Sequence, residues 1–501
     1  MTYNTFLSLI LLFLLSACGE TGQSPEQTDS PSYNGPIRLF TDNPHYFEYK
    51  GKPFVLVTSA EHYGALLNRA FDYEKYLETL ARDGMNYTRV FSGTYAEIPG
   101  ESFGIRNNTL APRSGDYLTP WDFSENGAGR RIYDLDAWNT AYFERLHHLM
   151  EKAAEHDIIV EFTLFTSIYR DEHWDISPEN PENNKNINVP VTRKQAHTPE
   201  NGPLLEYQEK LVRKLVNELN RYDNFFFEIQ NEPWADHNVP VYNIVNKEDL
   251  VNNDWTYKVD VATEASLDWQ AAIAGYITDE ESKLEKRHLI AQNYCNYKAP
   301  LEGIGENISV LNFHYAWPEA ATWNYGFDRV IGFDESGFAG SGDKVYRRQG
   351  WRFLLSGGGL FNNLDYSFFT GREDGTLENE APGGGSPELR KQLKILKEFI
   401  MGFDLAGMKP DAVSVIRAPG MIPYVLSDPG RAYALFIQAV GVESSDISLM
   451  AADGAYSVQW ISTLTGETLR NETVNAAEGE LKLIVPFEDG EIAMKVERIL
   501  K

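Results

Sequence analysis

The sequence predicts an α/β chain: a (β/α)8 barrel of the TIM type followed by a small C-terminal antiparallel β-sandwich. Three observations carry this. Between Phe54 and Phe403, short apolar strands alternate with amphipathic helices, and eight strands can be counted. Two of those strands, within residues 225–234 (FFFEIQNEPW) and 329–337 (RVIGFDESG), run apolar into a glutamate and then break. After Lys409-Pro410 the helical period vanishes and short alternating strands separated by turn residues follow.

Taken in order, the chain opens on an apolar run, residues 6–15, too short for a typical membrane-spanning helix. No Lys or Arg precedes it, and it leads into Leu15-Ser16-Ala17-Cys18. That tetrapeptide resembles a bacterial lipobox, which implies cleavage after residue 17 and a lipid on Cys18. Residues 1–17 are therefore expected to be a lipoprotein signal peptide. Residues 18–37, rich in Ser, Thr, Pro, Glu and Gln, have too little apolar surface to fold and read as a tether. The implied location is the bacterial cell envelope, with the lipid anchor as the only membrane contact. Cys295, the second of two cysteines, then has no disulfide partner and reads as a buried core thiol.

Residues 38–408 are expected to form the barrel. A hairpin over residues 38–56 turns at Lys50-Gly51-Lys52. Strands are expected at 54–59, 87–91, 158–165, 225–232, 288–292, 309–314, 330–333 and 360–365. Helices are expected at 73–82, 140–155, 204–219, 266–285, 343–355 and 387–403. Gly84 suits the C-cap of the first helix, and Pro387 suits the first turn of the last. Helices after the fifth and sixth strands are poorly marked. The fourth strand is apolar enough to be covered on both faces, and Pro233, which cannot donate to a ladder, ends it.

Three strand-to-helix connections are long: residues 92–138, 166–203 and 234–265. Loops of that length in a compact domain usually carry function, and in this fold they rise from the C-terminal face. The first holds Tyr95, Phe103, Tyr117, Trp121 and Phe123, the second Tyr169 and Trp174, the third Trp234 and Trp255. Each ring can either pin its own loop or face a ligand.

Residues 409–501 are expected to form the sandwich. Strands are marked at 412–418, 422–426, 432–438, 456–462, 481–485 and 492–498, with turns at Asp428-Pro429-Gly430, Leu464-Thr465-Gly466 and Asp489-Gly490. No row of exposed aromatics marks it as a ligand-binding module, so it is expected to pack against the barrel.

Composition narrows the function. A chain of 501 residues with 42% hydrophobic and 24% charged content is an ordinary globular protein. Its net charge of −28 repels nucleic acid and other polyanions. No His/Cys cluster has metal-ligand spacing, and neither a phosphate-binding glycine loop nor a serine-centred nucleophile elbow is present. No metal or cofactor is expected.

Two strands ending in glutamate about a hundred residues apart, the first in Asn231-Glu232-Pro233, resemble the retaining glycoside hydrolases of clan A. The resemblance implies a carbohydrate substrate, Glu232 as general acid/base, Glu335 as nucleophile and Asn231 as a hydrogen-bond partner of the sugar 2-hydroxyl. Asp334 competes with Glu335. Strict strand alternation would put Ile331, Phe333 and Glu335 on one face and Asp334 on the other. Arg89, in Tyr-Thr-Arg-Val-Phe, resembles the strand-two arginine that keeps this nucleophile ionised. His314 and Tyr315 resemble the strand-six residues of family 5 cellulases and mannanases, where one residue usually separates the pair. Tyr315 is expected to hydrogen-bond the nucleophile and His314 to touch substrate. Trp234 and, by height alone, Glu61, His62 and Asp365 are expected at substrate hydroxyls. Two rival readings are a non-catalytic surface glycan-binding lipoprotein and a transglycosylase using the same two glutamates. The presence of both glutamates argues against the first rival.

Overall fold

A computed structural model describes residues 34–100, 102–127, 129–241, 255, 258–378 and 382–500. Cys18, the signal segment and most of the tether lie outside the described residues.

Eight parallel strands form the barrel: β1 (Leu56–Ala60), β2 (Tyr87–Phe91), β3 (Ile159–Thr166), β4 (Phe225–Asn231), β5 (Ile290–Asn296), β6 (Val310–His314), β7 (Val330–Ser336) and β8 (Leu360–Leu364). Around it lie α1 (Tyr73–Arg82), α2 (Thr140–Glu155), α3 (Leu204–Leu219), α4 (Glu264–Glu281), α5 (Pro318–Asn324), α6 (Asp343–Leu354) and α7 (Pro387–Met401). Hydrogen-bonded pairing runs β1-β8-β7-β6-β5-β4-β3-β2. No ladder joins β1 to β2. Instead Asn86 bridges them, accepting from the Val57 N–H and donating to the Val55 carbonyl, both at 2.9 Å. Higher up, the Phe91 N–H donates to the Tyr63 carbonyl at 3.1 Å.

The interior is layered. Each strand contributes one apolar residue to a floor that runs from Leu56 on β1 to Leu360 on β8. The N-terminal hairpin plugs this end, with Phe47 stacked on Phe226 at 5.9 Å. Two residues further along each strand, the chain places Thr58, Arg89, Glu161, Glu228, Asn293, Asn312, Gly332 and Asn362. All seven side chains among them are fully buried. Gly332 is required there, because a Cβ would stand 2.1 Å from Asn312 Oδ1. A barrel sealed at the bottom by apolar packing and lined above it by polar groups can open only at the C-terminal end.

The main departures from expectation lie in the connections. Among the described residues no helix follows β5, and α5 after β6 has only seven residues. β7 runs three residues past the expected end, to Ser336. The first long connection contains a hairpin, Trp121–Glu125 with Arg131–Trp138. The third contains Asn238–Val241 paired with Val259–Ala262, whose second arm joins β5 at Cys295. Cys295 is free and fully buried.

The C-terminal region has a six-stranded and a three-stranded antiparallel sheet around a core that includes Tyr433, Leu435, Ile447, Val458, Trp460 and Val485. Three strands were not expected, the two-residue Lys409–Pro410, Ser444–Met450 and Thr468–Ala476. The last is a mostly exposed edge strand whose polar sequence (TLRNETVNA) carries little apolar alternation. This sandwich packs on α6 and α7. Trp351 stacks on Phe436 at 5.4 Å, Arg347 Nε lies 2.8 Å from the buried Glu491 carboxylate, and Arg352 Nε donates to Gln438 at 2.6 Å. Cutting the chain before Pro410 would expose Trp351 and leave Arg347 without its carboxylate. The truncated protein is expected to be insoluble, or to unfold at lower denaturant concentration, than the full chain. A soluble truncation with an unchanged unfolding midpoint would contradict this.

Candidate active site

At the C-terminal mouth the chain builds a cleft of about 440 Å³. Its walls come from the ends of β1, β2, β4, β5, β6 and β7 and from the long connections. Five of the twelve described non-glycine residues with left-handed backbone line it: Tyr63, Phe103, Glu232, Tyr315 and Phe338. Each costs roughly 1–3 kcal/mol, so strain is concentrated where the strands end.

Glu232 is one of these, with φ 47° and ψ 54°, and Pro233 starts a short helical turn behind it. Its N–H donates to Asn293 Oδ1 at 3.1 Å. Its Oε1 lies 2.9 Å from His314 Nδ1, and its Oε2 accepts from Tyr169 at 2.7 Å. Asn231 accepts from Arg89 at 2.8 Å and donates to the same Tyr169 hydroxyl at 2.8 Å.

Glu335 reaches the cleft by an irregularity in β7. Strict alternation would have sent it outward with Phe333, which packs on Phe353 of α6 at 5.3 Å. Instead the pairing with β6 skips a residue: Phe313 opposes Phe333 and His314 opposes Glu335. Asp334 and Glu335 therefore both turn inward, so the expectation that they occupy opposite faces is corrected. Glu335 lines the cleft, while Asp334 is buried below it. Tyr315 donates to Glu335 Oε1 at 2.7 Å, and Arg89 Nη1 donates to Oε2 at 3.3 Å. Ligand atoms of Glu232, His314 and Glu335 all lie within 4.8 Å of one another.

Beneath these groups Arg89 is fully buried. It donates to both oxygens of Glu228, at 2.6 and 2.9 Å, and lies 3.4 Å from Asp334. Glu228 also accepts from Thr163 and Asn293, and Glu161 from Tyr87 and from Asn312. Burial alone would raise Asp334, but His314 and Arg89 bring it down to about 2. Burial wins at Glu228, raised to about 7 against the pull of Arg89, and Glu161 is raised well above the usual carboxylate value. His314 would be lowered by burial, but Glu335 and Asp334 hold it well above 6.5 as a cation. At Glu335 burial again leads, joined by Glu232 and opposed by His314, Arg89 and Tyr315, and the balance lies above 4.5.

The last balance has a measurable consequence. A site that needs Glu335 ionised loses activity as pH falls through the raised value. Tyr315→Phe removes a donor that favours the anion, so the acid limb of kcat/KM is expected to move to higher pH. A pH profile with an unmoved acid limb would contradict this.

Two trios offer convergent ligand atoms for a cation: Glu232, His314 and Glu335, and Glu161, Glu228 and Asp334. Protein donors already occupy most of their oxygens, so an ion would have to displace them.

The structure places the remaining expected residues as follows. His62 and Trp234 line the cleft, and Trp234 meets His314 edge-on at 5.2 Å. His314 is fully buried beneath the cleft, so the expectation that it touches substrate is corrected; it faces carboxylates instead. Glu61 is corrected too: its carboxylate accepts from the Gly64 and Ala65 N–H groups and from Thr109, which fixes the turn after β1. Asp365 pairs with Arg390 at 2.6 Å and accepts from Ser59 at 2.8 Å, tying β8 to α7 and β1. Neither lines the cleft. Among the loop aromatics, Tyr95, Phe103, Tyr169 and Trp255 line it, whereas Tyr117, Trp121, Phe123 and Trp174 do not. Glu97, held by Tyr95 and Asn108, lines it and was not foreseen; as a carboxylate in an irregular loop it gave no signal.

No family model and no curated protein matches the chain. Solved structures do. A Bacteroides vulgatus ATCC 8482 protein provisionally assigned as a glycoside hydrolase superposes with TM-score 0.63 at 11% identity, over 94% of this chain and 83% of that one. A glycoside hydrolase family 5 protein from the same strain gives 0.58 at 11%, over 93% and 95%. The chain has the fold of these proteins. A third neighbour, described as a glycoside hydrolase, gives 0.55 at 12%, over 94% of this chain and 99% of its own. Each covers both the barrel and most of the C-terminal sheets.

Proposed function

We propose that the protein is a retaining glycoside hydrolase that cleaves a β-linked poly- or oligosaccharide by double displacement. The observation that carries this is the short separation of Glu232 and Glu335. One oxygen of each within 4.8 Å of the other suits a covalent route, for which carboxyls stand about 5–5.5 Å apart, better than an inverting site at about 6.5–9.5 Å. The glycoside-hydrolase fold of the structural neighbours supports the reading.

In the first step Glu335 attacks the anomeric carbon while Glu232 gives its proton to the leaving glycosidic oxygen. A glycosyl ester on Glu335 results. In the second step Glu232 takes a proton from water, the water oxygen attacks the anomeric carbon, and Glu335 departs as a carboxylate. Arg89 and Tyr315 each hold one Glu335 oxygen, which orients the carboxylate and favours its departure as an anion. Arg89 also fixes Asn231, whose place beside Glu232 suits a contact to the sugar 2-hydroxyl.

A hydrolysis screen over plant and microbial polysaccharides, oligosaccharides and aryl glycosides tests the reading. NMR of the first-formed anomer tests the stereochemistry: an inverted product would overturn the retaining assignment.

The protein is further proposed to be anchored in the cell envelope through a lipid on Cys18, on the strength of the Leu-Ser-Ala-Cys tetrapeptide. Cys18→Ser is expected to release it from the membrane fraction or block its processing. Unchanged fractionation of the variant would refute the anchor.

A further inference from the structure

We infer that Asp334, a carboxylate buried beneath the cleft, is a positioning residue for both steps of the proposed reaction: through His314 it maintains one fixed positive charge between the two glutamates that exchange charge. This rests on the double-displacement reading and gives a part to a residue that the reading leaves unused.

The first support is the placing of the ring. His314 is fully buried, and its two nitrogens face different groups. Nδ1 lies 2.9 Å from Glu232 Oε1 and 3.6 Å from Glu335 Oε1. Nε2 lies 3.5 Å from Asp334 Oδ1, and among the described residues neither of these two atoms has a hydrogen-bond partner. Two buried polar atoms of opposite character, each without a hydrogen bond elsewhere, are matched to one another. The irregularity in β7 makes this possible, because it turns Asp334 and Glu335 inward together so that one ring meets both.

The second support is the movement of charge. Three carboxylates face the ring: Glu232 at the end of β4, and Asp334 and Glu335 on β7. In the first proposed step a Glu335 oxygen bonds to the anomeric carbon, and the Glu232 proton leaves for the glycosidic oxygen. Glu335 passes from carboxylate to neutral ester, and Glu232 from neutral acid to carboxylate. One negative charge thus moves from one neighbour of Nδ1 to the other. It moves back in the second step, when water gives Glu232 a proton and Glu335 departs. Asp334 takes no part in either exchange. Its Oδ2 lies 3.4 Å from Arg89 Nη2 and accepts from Asn293 at 3.2 Å. Burial would raise its carboxyl, but His314 and Arg89 hold it at about 2, and His314 in turn stays well above 6.5. Glu161 of β3 and Glu228 of β4 bring oxygens within 4.8 Å of Asp334, but burial raises both carboxyls, so Asp334 is the first of that trio to ionise. A cation fixed between two glutamates favours the charge on whichever of them carries it, with no solvent to rearrange.

The test uses the full chain and the best glycoside found in the hydrolysis screen. Asp334→Asn removes the anion and keeps the side chain's size. The ring then loses its proton at lower pH, so the basic limb of kcat/KM is expected to move to lower pH. The ratio of wild-type to variant kcat/KM should reach about tenfold or more on the alkaline side and shrink as pH falls. A purely structural loss would give a ratio that does not change with pH. His314→Asn keeps one N–H near the place of Nδ1 but cannot titrate. In that background Asp334→Asn should leave the limb where it is and cost less than about twofold in kcat/KM. Strictly additive losses overturn the inference, as does an unmoved basic limb in a folded Asp334→Asn protein. Imidazole 15N shifts of the wild-type protein decide the matter without that variant, the His314 signals being those absent from His314→Asn. Both ring nitrogens are expected to stay protonated at about pH 7.5, roughly a unit above the ordinary imidazole value. A neutral His314 ring at that pH overturns the inference. These outcomes leave the hydrolase reading standing, whereas a wild-type protein inactive on the whole screen refutes that reading and this inference with it.

Discussion

On the proposed double-displacement route, Glu335→Gln is expected to lower turnover by about 10⁴-fold or more on every substrate, because that route gives no other group the part of forming the glycosyl ester. The substitution keeps the side chain's size but replaces one acceptor oxygen by an NH2 that cannot accept from Tyr315 or Arg89, so an unfolding midpoint close to wild type is needed to assign the loss to chemistry. Glu232→Ala is expected to behave differently. It removes acid and base assistance, worth about 10²–10⁴-fold, where the leaving group needs a proton. An activated aryl leaving group departs unaided, so the first step should survive on it and the intermediate should accumulate. Azide should then partly restore turnover and yield a glycosyl azide of retained configuration. Equal losses for the two variants on aryl and natural glycosides would undo the division of roles.

Arg89→Met is expected to cost about 3–5 kcal/mol of stability, since it strips the cation from buried carboxylates that cannot reach water. The loss should depend on pH. Glu228 is already raised to about 7 in the folded protein, above its unfolded value of about 4.5. Between those values the folded state binds more protons than the unfolded one, so stability falls as pH rises through that window. Without Arg89, which pulls Glu228 down, the fall should be larger and extend to higher pH. Glu228→Gln in the Arg89→Met background should recover part of the loss. Denaturant unfolding of the four proteins at pH 5 and pH 8 closes the cycle, and strictly additive effects would show that the pair is not coupled. Activity should fall as well, because Glu335 loses one of the groups that favour its anion.

The barrel was legible because its strands carry their signal in apolar runs and its long helices in amphipathic spacing. The bounds of α1, α2 and α3 were read to the residue. The missing helix after β5 and the short α5 coincide with the stretch where that spacing fades. The two glutamates were legible as carboxylates at strand ends. The route of Glu335 into the cleft was not, since a skipped residue in β7 leaves no mark in a sequence that otherwise alternates. Glu61 and Asp365 misled because height along a strand says nothing of direction, and nearby N–H, hydroxyl and guanidinium groups engage both carboxylates. The buried polar layer was available to be read. Arg89, Glu161, Glu228, Asn312 and Asn362 each interrupt an apolar strand two residues above its floor residue, although only Arg89 itself resembles a residue of a known motif.

The join between β1 and β2 bears on how firmly this side of the cleft is held. Seven neighbouring pairs around the barrel are stitched by ladders, whereas this pair is fastened by Asn86 low down and by one amide near the rim. His62 leaves one side of that fastening and Glu97 the other. The spacing of these two walls of the cleft is therefore set by a clasp and not by a weave. Replacing the asparagine therefore loosens one of the two fastenings, whereas the backbone bond from the Phe91 N–H to the Tyr63 carbonyl near the rim does not depend on it.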